Sequence, residues 1–271
     1  MKVFAIRDES AEIQKDLAYL LYYEVEKRFY IELPEHADPW ETPLLLDSFV
    51  KRNEMTVNSY WSQVWVQQRI VPTGRQNLGE ILRDNGLEEY DEYKLLMLAM
   101  GRCAQDDYYL VPMEENELPQ EIVKRYVTRI EDVLPLNDFC LLVFFRDGAV
   151  KKCDLKAHFE KSKPFRILLK KPEHFESVQM QIGGYGVTWD VNMNISDTML
   201  YRIGKRVPLS MSDFQNFVVQ RVINATEAAE ILDCSRQNII DLTKRDKLHP
   251  IKSSDKSTLY LKSEVLKRNW Q

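Results

Sequence analysis

Residues 139–145, Phe-Cys-Leu-Leu-Val-Phe-Phe, run straight into Arg146-Asp147-Gly148 and then into a second strand-like stretch at 149–155. No other feature narrows the fold as far. Asp-Gly takes the positive φ angles of a tight hairpin turn, so two flanking apolar runs of strand length fold back on each other. A second pair, 177–182 and 185–191, brackets Gly183-Gly184, where two glycines again suit a reversal. A short helix at 157–161 and a single turn at 172–175 lie between the hairpins. This part of the chain reads as a small two-hairpin α+β unit.

The segment before it reads differently. Residues 1–6 and 29–33 are strand candidates, the second stopped by Pro34. Leu17, Leu20, Leu21 and Val25 fall at helical spacing and predict a helix over 11–28. Core helices are expected at 44–50 and 60–71, with Trp61 and Trp65 packing inward from one face. Others are expected at 76–85, closed by Gly86, and at 93–100, closed by Gly101. A last one is expected over 120–134, after a polar stretch between Pro112 and Pro119. Residues 1–134 thus read as a mixed α/β domain. Its acidic groups are Glu88, Glu89, Asp91 and Glu92 beside two tyrosines, and the pair Asp106-Asp107. They lack ligand spacing and a positioned histidine, and read as solvated surface. His36 has no partner in view. Arg69, Arg75, Gln76 and Asn77 form the one polar, basic stretch of this half suited to touching a ligand.

The 271 residues carry a net charge of −5, which speaks against nucleic acid until it is divided along the chain. Residues 1–134 hold 15 Lys and Arg against 26 Asp and Glu, a net of −11. Residues 135–220 hold 12 against 9 and residues 221–271 hold 10 against 7, each a net of +3. The acidity belongs to the first half, so separate parts can do separate work. Cys103, Cys140, Cys153 and Cys234 are scattered, with no C-x-x-C pair. That excludes a disulfide framework and a zinc ribbon, and points to the cytoplasm. No apolar run reaches the roughly 18 residues of a membrane span, and residues 1–16 are too charged for a signal peptide. No membrane association is expected. Cys153, His158 and His174 lack the regular spacing of a metal site. No phosphate loop or nucleophile elbow is present, so neither an enzyme nor a cofactor is expected.

In the middle of the chain a set of short motifs occurs in order: Phe144-Phe145-Arg146-Asp147-Gly148, Cys153-Asp154-Leu155, Phe165 with Leu168-Leu169, Pro172-Glu173-His174-Phe175, Val187-Thr188-Trp189 and Leu200-Tyr201. This order resembles a small bacterial family of unknown function. Its members occur alone, beside toxin genes as proposed antitoxins, or fused to a helix-turn-helix. The resemblance covers about a third of the chain and rests on order and spacing. Where the family follows its Trp with Gly-x-Asp, this chain has Asn192-Met193-Asn194. Asn192 can still take a left-handed turn angle, whereas Asn194 removes a carboxylate and with it any metal or acid–base role there. Asp147 and Asp154 read as a turn former and a strand-end cap. The family supplies no established chemistry to carry over.

The carboxy-terminal stretch is the most informative for function. Asn224-Ala225-Thr226-Glu227 is a capping box, and Ala228, Ala229, Ile231 and Leu232 give a small apolar helix face. After Asp233-Cys234, Ser235 caps a second helix over 236–244, with Ile239, Ile240 and Leu242 expected to pack inward. Two short helices joined this closely form a helix-turn-helix. The second exposes Arg236, Gln237, Asn238, Asp241 and Lys244, groups suited to reading base edges in the major groove. Lys247 to Lys256 and 258–261 then give a basic hairpin.

Residues 223–269 resemble the small winged helix-turn-helix of excisionases and mercury-resistance regulators. They share an early Glu-Ala-Ala, a Ser-capped second helix, a Leu-x-Pro before the wing and a closing Ser-Glu-Val. The resemblance implies double-stranded DNA as partner, with contacts from Ser235, Arg236, Gln237, Asn238 and Lys244, and phosphate contacts from Lys252 and Lys256. The chain departs at Asp233 and Cys234, where Gly and Val are usual.

The expected architecture is multidomain α+β, cut at 1–134, 135–212 and 213–271. The expected function is a sequence-specific DNA-binding regulator, a homodimer by helix-turn-helix geometry. The alternative is an antitoxin-like module that binds a toxin-like protein partner, with DNA binding secondary or absent.

Overall fold

The computed structural model describes residues 1–190, 193–254 and 257–268. Its helices and antiparallel sheets make a multidomain α+β protein. The chain divides into two compact units, residues 1–147 with 152–204, and residues 148–151 with 205–271.

In the first unit, β1 (Lys2–Asp8), β2 (Ala18–Tyr23), β3 (Arg28–Glu32), β4 (Thr56–Val57) and β5 (Tyr108–Met113) form one antiparallel sheet in the order β4-β3-β2-β1-β5. The helix expected over 11–28 is replaced by a hairpin, with Tyr19 opposite Glu32 and Leu21 opposite Tyr30. The helical spacing of its leucines is only one reading of residues 17–23, where every side chain is apolar or aromatic. Such a run suits a strand covered on both sides. Leu20 and Tyr22 pack on one face with Phe4, Ile6, Phe29, Ile31 and Trp65. Tyr19 and Leu21 pack on the other with Val3, Ala5, Tyr30, Leu118 and Ile122. Val25 is left 91% exposed between β2 and β3.

Helices α1 (Asp47–Lys51), α2 (Ser59–Gln67), α3 (Leu78–Asp84), α4 (Glu92–Leu98) and α5 (Gln120–Val127) complete this part. Asn58 and Asp91 cap α2 and α4 by accepting from the backbone amides of Trp61 and Lys94. Gly86 and Gly101 stand after α3 and α4 at positive φ, as expected of helix stops. Of the two tryptophans expected inside, only Trp65 is buried. Ser62, Trp65 and Val66 make the inward stripe of α2, and Trp61 lies to its side, 39% exposed and edge-on to Tyr60.

The helix expected over 120–134 stops at Val127. From Ile130 the chain becomes β6 (Ile130–Leu136), which pairs antiparallel with β7 (Cys140–Phe145) and leads to β8 (Val150–Asp154). Gly148 takes φ 78 in the β7–β8 turn. Then follow α6 (Lys156–Lys161), α7 (Arg166–Lys170), α8 (Pro172–Glu176), β9 (Gln179–Met180), β10 (Gly186–Asp190), β11 (Met193–Ser196) and α9 (Asp197–Ile203). The second hairpin stands where expected, across Gly183-Gly184, but is shorter. The expected strand at 177–182 shrinks to two residues, and β10 pairs mainly with β11. At Gly184, φ 78, a Cβ would sit 2.2 Å from the Ile130 carbonyl oxygen, so only glycine lets the two backbones meet.

The second unit contains β12 (Lys205–Val207), α10 (Met211–Arg221), β13 (Val222–Asn224), α11 (Ala225–Ile231), α12 (Arg236–Lys244), β14 (Lys252–Ser253), β15 (Thr258–Leu261) and α13 (Lys262–Arg268). Strands β13, β15 and β14 make a small antiparallel sheet in that order, with Ile223 opposite Tyr260 and Lys252 opposite Leu259. Ile223, Ala225, Ala228, Ala229, Ile239, Leu248, Tyr260 and Val265 form its core.

Candidate nucleic-acid interface

The helix pair α11–α12 is fixed by local chemistry at three points. Asn224 accepts from the backbone amides of Thr226 and Glu227, while the Glu227 carboxylate accepts from the Asn224 amide, so α11 starts in a full capping box. Asp233 then takes φ 48, the left-handed angle usually given to glycine and open to aspartate at modest cost. Ser235 Oγ accepts from the Asn238 amide at 3.2 Å and starts α12. With alanines at the crossing, Ala228 fully buried and Ala229 nearly so, the two helices approach closely.

Helix α12 buries Ile239, while Leu242 and Thr243 are partly buried beside it. The Thr243 and Tyr260 hydroxyls, 3.0 Å apart, join α12 to β15. Arg236, Gln237, Asn238 and Lys244 are exposed, as expected for a reading face, and Ser235 is exposed at the cap. Gln237 Nε2 donates weakly to Asp241 Oδ1 at 3.4 Å. The side chains of Arg236, Asn238 and Lys244 hold no hydrogen bond or ion pair with described residues. Lys252 is exposed on β14. Lys256 lies outside the described residues. Two residues correct the expectation: Asp241 is half-buried rather than exposed, and Ile240 is 38% exposed rather than packed inward. At about 100° per residue it lies within about 40° of both Arg236 and Lys244, on the outer arc. The expected inward trio followed hydrophobicity alone, and helix period was the signal that could have found the exception.

Charge favours the same unit. It holds 13 Lys and Arg against 8 Asp and Glu, a net of +5, whereas the first unit holds 24 against 34, a net of −10. Beyond α12, His249 Nδ1 lies 2.8 Å from Glu264 Oε1 and its Nε2 lies 3.2 Å from Asp246 Oδ1. The hydrogen bond to Glu264, with the charge of Asp246, raises the imidazole above its ordinary value. A group raised on folding adds stability that is complete below its unfolded value and lost as pH rises through its folded one. An NMR titration is therefore expected to place the His249 midpoint above that of a free histidine. Glu264→Gln is expected to return it towards the ordinary value. A midpoint unmoved by that change would remove the pairing.

The first unit contains a different kind of polar site. Arg129, 1% exposed, gives Nη1 to Asp197 Oδ2 at 2.6 Å and Nη2 to Glu32 Oε1 at 2.5 Å. Its guanidinium lies 3.8 Å from the Tyr185 ring centre, and Tyr185 stacks in turn on Tyr30. Thr56 donates to Glu32, and Arg125 pairs with the same carboxylate while donating to the Leu33 and Met55 carbonyls. Burial pushes the Glu32 and Asp197 carboxyls up, against the pull of Arg129. The cluster joins the five-stranded sheet to α9. An open groove of about 1800 Å³ runs beside it, walled by Arg28, Arg52, Arg125 and Arg202 together with Glu35, Glu54 and Asp197. With both charge signs along its walls, the groove is not organised around one ligand charge.

Other sequence candidates take structural places. Arg69 is buried against Trp65 and pairs with Asp106 at 2.5 Å, so it cannot reach a ligand, and Asp106 is not a solvated acid. Asp154 accepts from the Lys156 amide, and Asp147 accepts from the Tyr201 hydroxyl. Cys153 is buried and donates to the Leu200 carbonyl. No group of three His, Cys, Asp or Glu that could hold a metal ion occurs among the described residues, and none of their helices is long and apolar enough to cross a membrane.

The motifs of the middle segment are packing motifs. Phe144, Phe145, Leu155, Phe165, Leu168, Phe175, Val187 and Leu200 are all buried, and Trp189 Nε1 donates to the Phe175 carbonyl. Residues 130–206 match the family described as "Protein of unknown function (DUF2442)". No curated protein and no solved structure matches the chain. A domain of unknown function therefore occupies the middle of the chain, and the match carries no chemistry.

Proposed function

We propose that the chain is a sequence-specific DNA-binding transcriptional regulator, reading double-stranded DNA through a winged helix-turn-helix formed by α11, α12 and the β14–β15 hairpin. The observation that carries this reading is the outer arc of α12. There Arg236, Gln237 and Lys244 stand exposed on a Ser235-capped helix at the surface of the one net-positive unit. Arginine suits guanine and glutamine suits adenine, so Arg236 and Gln237 supply a major-groove reader, with Lys244 at its edge for a phosphate. Lys252, and Lys256 beyond it, would hold phosphates from the wing. The first unit then acts as the sensing body, and no catalytic step, cofactor or metal is assigned.

Binding of the full chain to genomic fragments at several salt concentrations tests this. A selected sequence whose binding is lost on Arg236→Ala supports the reading. Absence of any selected sequence at low salt sinks it.

A two-fold reader needs a second copy, and α10 is where we place the pairing. This 11-residue helix has no buried residue, and Phe217, Val218 and Val219 are 52%, 37% and 80% exposed. Isolated helices of this length are marginal in water, so α10 calls for cover. Phe217→Glu is expected to weaken self-association by about 30-fold, the effect of removing an apolar anchor. Sedimentation across concentration, with and without two-site DNA, measures it. The antitoxin-like reading draws on the same exposed helix. A chain that stays monomeric on DNA and forms a one-to-one complex with the product of an adjacent toxin-like gene would favour it.

A further inference from the structure

We infer that Ile240 reads the 5-methyl group of a thymine, so that each preferred half-site carries a thymine beside the base contacted by Arg236. The inference rests on the DNA-binding reading and deepens it. Ile240 is 38% exposed in a helix whose other isoleucine, Ile239, is fully buried. Its neighbours on the helix surface are Arg236 four residues before, Gln237 three before and Lys244 four after. All three are exposed and polar. In the middle of such an arc this apolar side chain still leaves more than a third of its surface to water, and isoleucine is a poorer helix former than the polar residues that would suit a solvated position. The β-branch holds its methyl groups in one strongly preferred rotamer, so they are placed before any partner arrives. In the major groove the apolar group offered by a base edge is the thymine methyl, and the flanking donors are those that suit guanine and adenine. Ile240 is the fifth of nine residues of α12, one turn beyond Arg236 at the amino-terminal end that meets base edges in a helix-turn-helix.

Uracil isolates the contact, because it keeps the hydrogen-bonding groups of thymine and lacks only the methyl. Each thymine of the sequence selected by the full chain is replaced in turn by deoxyuridine. Wild type is expected to lose about fourfold in affinity at one position per half-site, the effect of leaving one methyl unburied. Ile240→Ala is expected to bind more weakly and to be indifferent to uracil at that position. Ile240→Val, which keeps two methyl groups, is expected to retain most of the sensitivity. Thermal melting of both variants checks that each is folded. Tolerance of uracil at every position, or an Ile240→Ala variant as sensitive as wild type, overturns this inference alone. A wild-type chain that selects no sequence overturns it together with the DNA-binding reading.

Discussion

Arg129→Met is expected to lower the melting temperature of the first unit by about 10 °C at neutral pH. The substitution roughly preserves volume but leaves Glu32 and Asp197 buried with their strongest partner gone. Removing one member of a buried ionic group costs about 3–5 kcal/mol, and each kcal/mol shifts a unit of this size by about 2–4 °C. The pH dependence carries the diagnostic. Burial holds both carboxyls above their ordinary values even with the guanidinium present, and its removal moves them further up. A carboxyl raised on folding contributes stability that is complete below its unfolded value and lost as pH rises through the folded one. The variant should therefore melt higher at pH 5 than at pH 8, with a steeper slope than wild type. Adding Glu32→Gln and Asp197→Asn should flatten that slope and restore part of the lost stability. Calorimetric melts across pH decide it. A single variant within 2 °C of wild type at every pH would mean that the cluster does not hold the sheet to α9.

The same cluster shows why the first unit was hard to divide from sequence. Arg129 lies just past α5, Glu32 ends β3 and Asp197 opens α9. No local pattern announces that residues so far apart will meet. Charge counted along the chain placed a cut at 134, inside what became β6, because charge is additive along sequence and contacts are not. The Asp147-Gly148 turn was legible because its chemistry is local, and so were the caps at Asn224 and Ser235 and the stops at Gly86 and Gly101. The β2–β3 hairpin was not. A run apolar at every position satisfies helical and strand periods alike, and only a sheet buried on both faces decides between them. At the candidate interface, the exposed polar residues of α12 followed from the cap and the helix period. Ile240 is the exception because hydrophobicity alone points it inward, while its angle on the helix, about 100° from Ile239, turns it out. In the middle segment, motif order gave the family and nothing about chemistry, since the apolar motif residues lie in the core and the exposed ones sit in turns and helix ends.

On the selected DNA, Arg236→Ala and Gln237→Ala are expected to cost about 1–3 kcal/mol each, a loss of about 5- to 150-fold, while leaving the slope of affinity against salt unchanged. Both side chains stand on the outer arc of α12 beside Ile240, where a bidentate contact to one base can form. Asn238 is exposed but lies about 100° from Gln237 and about 160° from Ile240 around the helix, so Asn238→Ala is expected to have the smallest effect of the three. Lys244→Ala and Lys252→Ala should behave differently, weakening all sequences alike and reducing the salt slope by about one each. With a net charge of only +5 on the unit, few phosphate contacts are expected. Non-specific affinity should consequently be low, and the ratio of specific to non-specific binding should fall steeply when base contacts go. Titrations of full-length variants against the selected and a scrambled duplex, each at four salt concentrations, separate the two classes. If the arginine and glutamine variants changed only the salt slope, or the lysine variants changed only the sequence preference, α12 would not be lying in the major groove with its outer arc towards the bases.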